Sequence, residues 1–307
     1  MTFATIGVAL PALKDVPVPL VIVTSSTPGA GKTGVAAAVA RHYAYQGKAV
    51  RLMRLAGAEG ERASDDAAYF GSLSFAPGSA ATVTAAGDVK DPGGDAVTVV
   101  EANVESLAAL PAAAIVLVAR DEPPKQLPAG VTPKAVVVTD AAGKPAAAAI
   151  GDAAVVVLGE DRKLGGFSVG EVRTALNAEV LVPGDGSETT CDYLVVAPIS
   201  SDAGQPYFRR FQTKAVVVRF DKTDQHLAAM KADPECLILT GGRRPSDYLF
   251  DAATANGVPV LLSQTDTENT VIALEGIFDR TRFQGDRKLD RMSDLLEASP
   301  LFGSLGL

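Results

Sequence analysis

Short, wholly apolar runs alternate with longer mixed segments along this chain, and the runs set its architecture. LVIVT (20–24), AVRLMRL (49–55), AVTVVEA (96–102), AAIVLVA (113–119), KAVVVTD (134–140) and AAVVVLGE (153–160) are rich in Val and Ile and carry few polar positions. Strands apolar on both faces belong in parallel sheets that are covered on both sides. Between the first two runs, GKTGVAAAVARHYAYQGK predicts a helix that stops at Gly47, a residue suited to the left-handed turn that ends helices. A strand, a loop, a helix and a second strand make a crossover unit, so the first half predicts an α/β, doubly wound domain.

From about residue 166 the pattern shifts. GGFSVGEVRTALNAEVLVPG reads as a turn, a helix and a strand, and further strands are expected at CDYLVVAPI (191–199), KAVVVRF (214–220), CLILTGG (236–242) and VPVLLSQ (258–264). Helical patterns separate them at 221–232 and 245–257. The Gly165–Gly166 step is the expected boundary, giving a first domain over 1–165 and a smaller α/β domain with a helical tail over 166–307. TFATIGVAL (2–10) reads as an added edge strand.

Charge narrows the function classes. With 36 Asp and Glu against 28 Lys and Arg, the net charge of −8 offers no electrostatic footprint for nucleic acid. The most basic stretch, RTRFQGDRKLDR (280–291), is interrupted by Asp286 and Asp290 and reads as a solvated helix face. Cys191 and Cys236 lack metal-site spacing and read as small buried residues, and His42 and His226 read as structural. The N-terminus has no basic leader and is broken by Pro11, Pro17 and Pro19, and no apolar run is long enough to span a membrane. A cytoplasmic protein with no membrane partner is the expectation.

The candidate chemistry lies directly behind the first strand. STPGAGKT (26–33) matches the phosphate-binding pattern G-x-x-x-x-G-K-[ST], with Ser26 in the first glycine's place. Such a loop turns backbone N–H groups toward an anion at a helix N-terminus. Ser26, Thr27, Pro28, Gly29, Ala30, Gly31, Lys32, Thr33 and Gly34 are therefore the candidate nucleotide-binding residues, with Lys32 for the terminal phosphates and the Thr33 hydroxyl for Mg²⁺. Magnesium also takes one or two carboxylates. Glu101, at the carboxyl end of a strand, and Asp66 are the candidates; the pair Asp65–Asp66 also suits a helix N-terminus without any metal.

These motifs, in this order, resemble a known pair of domains. PGAGKT, DDAAYF, VVEAN and LGEDRKLGGFSVGEVRTALNAEVL resemble the dethiobiotin-synthetase-like P-loop domain at the N-terminus of long phosphotransacetylases. CDYLVVAPISSDAGQPYFRRF, RFDKTDQHLAAM, LILTGGRRPSDYLFDAATANGVPVLLSQTDTENTV and RTRFQGDRKLDRM resemble the DRTGG domain that follows it there. The resemblance implies an ATP (or other nucleoside triphosphate) and Mg²⁺ site at Lys32, Thr33 and Glu101, with Asp66 beside it. It also implies homodimerisation and regulation through residues 166–280. No acetyltransferase domain follows, so phosphotransacetylase activity is not expected. Arg54 stands where the related enzymes carry a lysine and joins the nucleotide-site candidates. ANVES replaces a glycine-rich loop after Glu101, and Thr139–Asp140 replace an asparagine that contacts adenine, so the base stays unassigned. GGRRPSD (241–247) suits either an anion site or a plain strand-to-helix turn, and PYFRRF (206–211) reads as a contact between modules. Three readings remain open: an ATP·Mg²⁺-binding regulatory module, an ATP-dependent enzyme acting on a small substrate, and a scaffold for a protein partner with a vestigial loop.

Overall fold

The computed structural model describes residues 20–57, 61–90, 95–143, 150–184, 186, 189–197 and 204–305. The edge strand expected at 2–10 lies outside them.

All six strands expected in the first half form: β1 (Leu20–Ser25), β2 (Ala49–Arg54), β3 (Ala96–Asn103), β4 (Ala114–Arg120), β5 (Ala135–Ala141) and β6 (Ala154–Gly159). They make one parallel sheet in the order β2-β3-β1-β4-β5-β6. From β1 near the centre the described strands wind to one edge and then to the other, so β1 lies where the direction of winding reverses. In open α/β sheets that is where a crevice opens beyond the carboxyl ends of the strands.

The two faces of this sheet are covered differently. α1 (Lys32–Tyr45) and α2 (Glu61–Ser72) lie on one face, over Val21, Val23, Val99, Val116 and Val137. The opposite face is closed by 3₁₀ turns at Ala86–Asp88 and Val104–Ala109 and by loops. Composition explains the asymmetry. The β4–β5 connection carries Pro123, Pro124, Pro128 and Pro133, each without an amide hydrogen to donate, and no helix forms there.

The second unit contains β7 (Phe167–Ser168), α3 (Val169–Leu176), β8 (Glu179–Val182), β9 (Thr190–Cys191), β10 (Tyr193–Val196), α4 (Gly204–Phe208), β11 (Lys214–Arg219), α5 (Thr223–Met230), β12 (Cys236–Thr240), α6 (Asp247–Ala255), β13 (Val260–Leu262) and α7 (Thr267–Leu274). Its five-stranded sheet runs β10-β11-β12-β13-β8, parallel except for β8, and β7 pairs with β9 beside it. PYFRRF is not a contact between modules. Phe208 is fully buried in the second unit's own core, with Tyr207 and Phe211 packed against it and Tyr193 against Phe211. In GGRRPSD, Arg243 and Arg244 lie over the rings of Phe220 and Phe250. His226 is buried and hydrogen-bonds the Arg219 carbonyl oxygen at 2.8 Å, as a structural histidine would.

α8 (Asp286–Glu297) and α9 (Leu301–Leu305) bring the chain back to the first unit. Leu289, Met292, Leu296, Leu301 and Leu305 are buried in the same core as α1 and the first sheet. RTRFQGDRKLDR is therefore not a solvated face. Lys288 is 1% exposed, and Arg287 and Arg291 pair with Asp192 and Asp161. The buried stripe at 289, 292 and 296 follows helical spacing, but Met292 and Leu296 lie beyond the basic window that suggested a surface.

Candidate functional site

The turn from β1 into α1 is built from local bonds. Ser25 is buried, and its Oγ accepts the Thr27 N–H at 3.0 Å, which starts the turn. Gly29 and Gly31 both take positive φ, 71° and 85°. At Gly31 a side chain is doubly disfavoured, because a Cβ there would also stand 3.3 Å from the Thr139 methyl group. Thr139 holds the loop from the other side, donating its hydroxyl to the Ala30 carbonyl oxygen at 2.9 Å. Arg120 reaches the Gly29 carbonyl oxygen and pairs with Asp140. Thr139 and Asp140 thus shape the loop, Thr139 directly and Asp140 through Arg120.

Behind the loop the structure gathers most of the candidate side chains. Lys32, Thr33, Arg54 and Glu101 are all buried, and Asp66 is half-buried. Thr33 donates its hydroxyl to Glu101 Oε1 at 3.3 Å. Arg54 Nε lies 3.5 Å from Glu101 Oε1 and 3.7 Å from Asp66 Oδ2. A strand end, a helix start and α2 deliver these groups to one place, because β2 and β3 pair in register with Arg54 beside Glu101. Asp65, the adjacent residue in sequence, pairs with Arg282 instead.

Pro28–Thr33, Arg54, Asp66 and Glu101 line a cavity of about 580 Å³. Its remaining walls include Arg62 and Arg120, the segment Leu158–Arg162, and Phe278, Arg282 and Phe283. Ser26 and Thr27 are exposed and not part of this wall, and Gly34 faces Phe283 and Met292 instead. Arg62, Arg162 and Arg282 were not among the sequence candidates. Arg162 and Arg282 lie in stretches read for their resemblance and not for the loop, and only the folded chain brings the three arginines to it.

Burial pushes the Glu101 carboxyl up from 4.5 to about 7, against the pull of Arg54, Lys32 and the Thr33 hydroxyl and with the help of Asp66. Its Oε2 is buried without a hydrogen-bond partner. Among the described residues no three metal-ligating side chains cluster. Two carboxylates and a hydroxyl nevertheless suit Mg²⁺, which is commonly held by few protein ligands together with phosphates and water. The unpartnered Glu101 oxygen is the feature that fits it.

A pH dependence follows. Between pH 4.5 and about 7 the folded Glu101 retains a proton that the unfolded chain has released, so its contribution to stability declines as pH rises through that window. Glu101→Gln should flatten this part of the pH–stability profile and raise stability above pH 7 by up to a few kcal/mol. Denaturant titrations of both proteins from pH 5 to 8 provide the check; parallel profiles would mean that Glu101 is already ionised at pH 5.

Comparison with known families resolves the second unit. Residues 171–277 match the model of the DRTGG domain. This part of the chain is a DRTGG domain. Among solved structures, the CBS and DRTGG domains of the regulatory region of Clostridium perfringens pyrophosphatase, complexed with the activator diadenosine tetraphosphate, align at 17% identity with a TM-score of 0.33. The match covers 41% of this chain and about half of that one, 54%, and is too loose to carry an argument about ligands. The placement of the DRTGG domain is informative in itself. Leu158–Gly165 just before it and Phe278–Phe283 just after it both contribute to the wall of the cavity at the loop. No helix among the described residues is long and apolar enough to cross a membrane.

Proposed function

We propose that the protein is a regulatory module that binds ATP with Mg²⁺ at the loop 26–33, with output through the DRTGG domain and a second copy of the chain docked there. One observation carries this reading: Lys32, Thr33, Glu101 and Asp66, distant in sequence, converge on a single cavity at the N-terminus of α1. In this reading Lys32 meets the terminal phosphates as a point charge, and the N–H groups of the loop donate hydrogen bonds to the other phosphate oxygens. Bound Mg²⁺ would neutralise phosphate oxygens, held by the Thr33 hydroxyl with Glu101 and Asp66. Arg54 keeps both carboxylates oriented and limits their mutual repulsion. An ATP-dependent enzyme is the second reading, supported by a carboxyl group with a pKa of about 7 beside the same cavity, a value suited to moving protons near neutrality.

Isothermal titration with a non-hydrolysable ATP analogue, run beside GTP and magnesium-free controls, tests the site. Magnesium-dependent binding is the expected result, and the absence of binding by either nucleotide would leave the scaffold reading. ADP release that depends on an added small substrate would favour the enzyme. Light scattering on the same samples distinguishes the proposed dimer from a monomer.

A further inference from the structure

The segment that leaves the DRTGG domain is fastened on both sides. On the DRTGG side, Glu171 completes the capping box of α3, its Oε2 accepting the Ser168 N–H, while its Oε1 accepts the Arg282 N–H at 2.7 Å. Arg287 grips both oxygens of Asp192, and the buried Lys288 ammonium donates to the Arg282 carbonyl oxygen at 2.6 Å. On the loop side, Phe283 sits directly on Gly34 in the first turn of α1, where a Cβ would come within 2.8 Å of its ring. Arg282 pairs with Asp65, and Arg41 with Asp290. The entering segment is tied in as well, since Arg291 donates to Asp161 at 2.6 Å.

We propose that the strap Phe278–Phe283 is part of the ligand site and reports occupancy of the loop cavity to the DRTGG domain. This rests on the nucleotide reading above and adds a route to it. Arg282 is the pivotal residue. Its side chain faces the cavity and Asp65, while its two backbone polar groups are held by Glu171 and Lys288. A polyanion in the cavity attracts the Arg282 guanidinium away from Asp65, and the pull passes through the same residue's backbone to the capping box of α3. Packed elements of this kind have few intermediate positions, so a small displacement at one end is carried to the other. Linkage requires the reverse as well: loosening the strap must change affinity at the loop.

The experiment is hydrogen–deuterium exchange on the full chain with and without the non-hydrolysable ATP analogue and Mg²⁺, with affinities measured in parallel for wild type, Arg282→Ala and Phe283→Ala. Arg282 is part-exposed, so its truncation leaves the buried core intact. The expected result is slower exchange on binding in peptides covering 278–289 and 169–176, and about 5-fold or greater weakening of binding by Arg282→Ala. In Arg282→Ala the protection at 169–176 should disappear while that at 29–35 persists. Phe283→Ala should lose protection at 278–289 in the same way. Binding with protection confined to 29–35 in the wild type, and unchanged affinity in both variants, would overturn the strap's role and leave the nucleotide site standing. Absence of binding in the wild type would overturn both.

Discussion

Lys32→Ala is expected to weaken Mg²⁺-nucleotide binding by about 100-fold or more while leaving the chain folded. Removing one partner from a buried, charge-assisted contact costs on the order of 2–5 kcal/mol, and about 2.7 kcal/mol corresponds to 100-fold. The fold survives because the neighbouring carboxyl group can adjust. Lys32 is one of the charges that hold the Glu101 pKa down, so its loss moves Glu101 further toward its neutral form and leaves no unbalanced buried carboxylate. Titration calorimetry measures the affinity and circular dichroism the fold. A variant that unfolds, or one that binds like wild type, would show that Lys32 serves the structure and not a phosphate.

The second large effect lies at the other end of the chain. Leu296→Ala should destabilise the first unit by about 2–5 kcal/mol, the usual cost of truncating a fully buried leucine. Leu296 is about 270 residues from β1 in sequence, yet both belong to one apolar core. Hydrogen exchange in peptides covering β1 and β3 should therefore quicken in the variant, while β11 and β12 keep their wild-type protection. Faster exchange confined to β11 and β12 would instead assign α8 to the DRTGG domain.

What the sequence made legible was what is local. Each strand of the first sheet is a run of Val and Ile that needs cover on both faces, and those runs can be read without knowing what covers them. The loop was equally readable, because Gly29, Gly31, Lys32 and Thr33 act through the turn in which they sit. Glu101 could be chosen from its place at a strand end, since in a parallel sheet that end faces the crevice. Side chains that act across long separations were harder. Arg282 and Phe283 reach the cavity only because α8 returns to pack on α1, and the apolar stripe responsible is split by charges that suggested a surface. The work of Thr139, to hold Ala30 and crowd Gly31, joins residues far apart in sequence and leaves no local pattern. Phe208 and its aromatic neighbours read as a contact between modules because they stand beside Arg209 and Arg210, and aromatic residues beside arginines look alike in sequence whether they close a core or meet a partner.

The return of α8 and α9 also bears on the order in which the molecule can be assembled. The last strand of the first sheet ends at Gly159, but the helices that complete its cover do not leave the ribosome until more than a hundred residues later. In chain order the DRTGG match at 171–277 falls between the first sheet and the helices that complete its cover. During synthesis residues 171–277 are therefore complete before α8 and α9 emerge, and until then the sheet that precedes them lacks the apolar cover those helices supply.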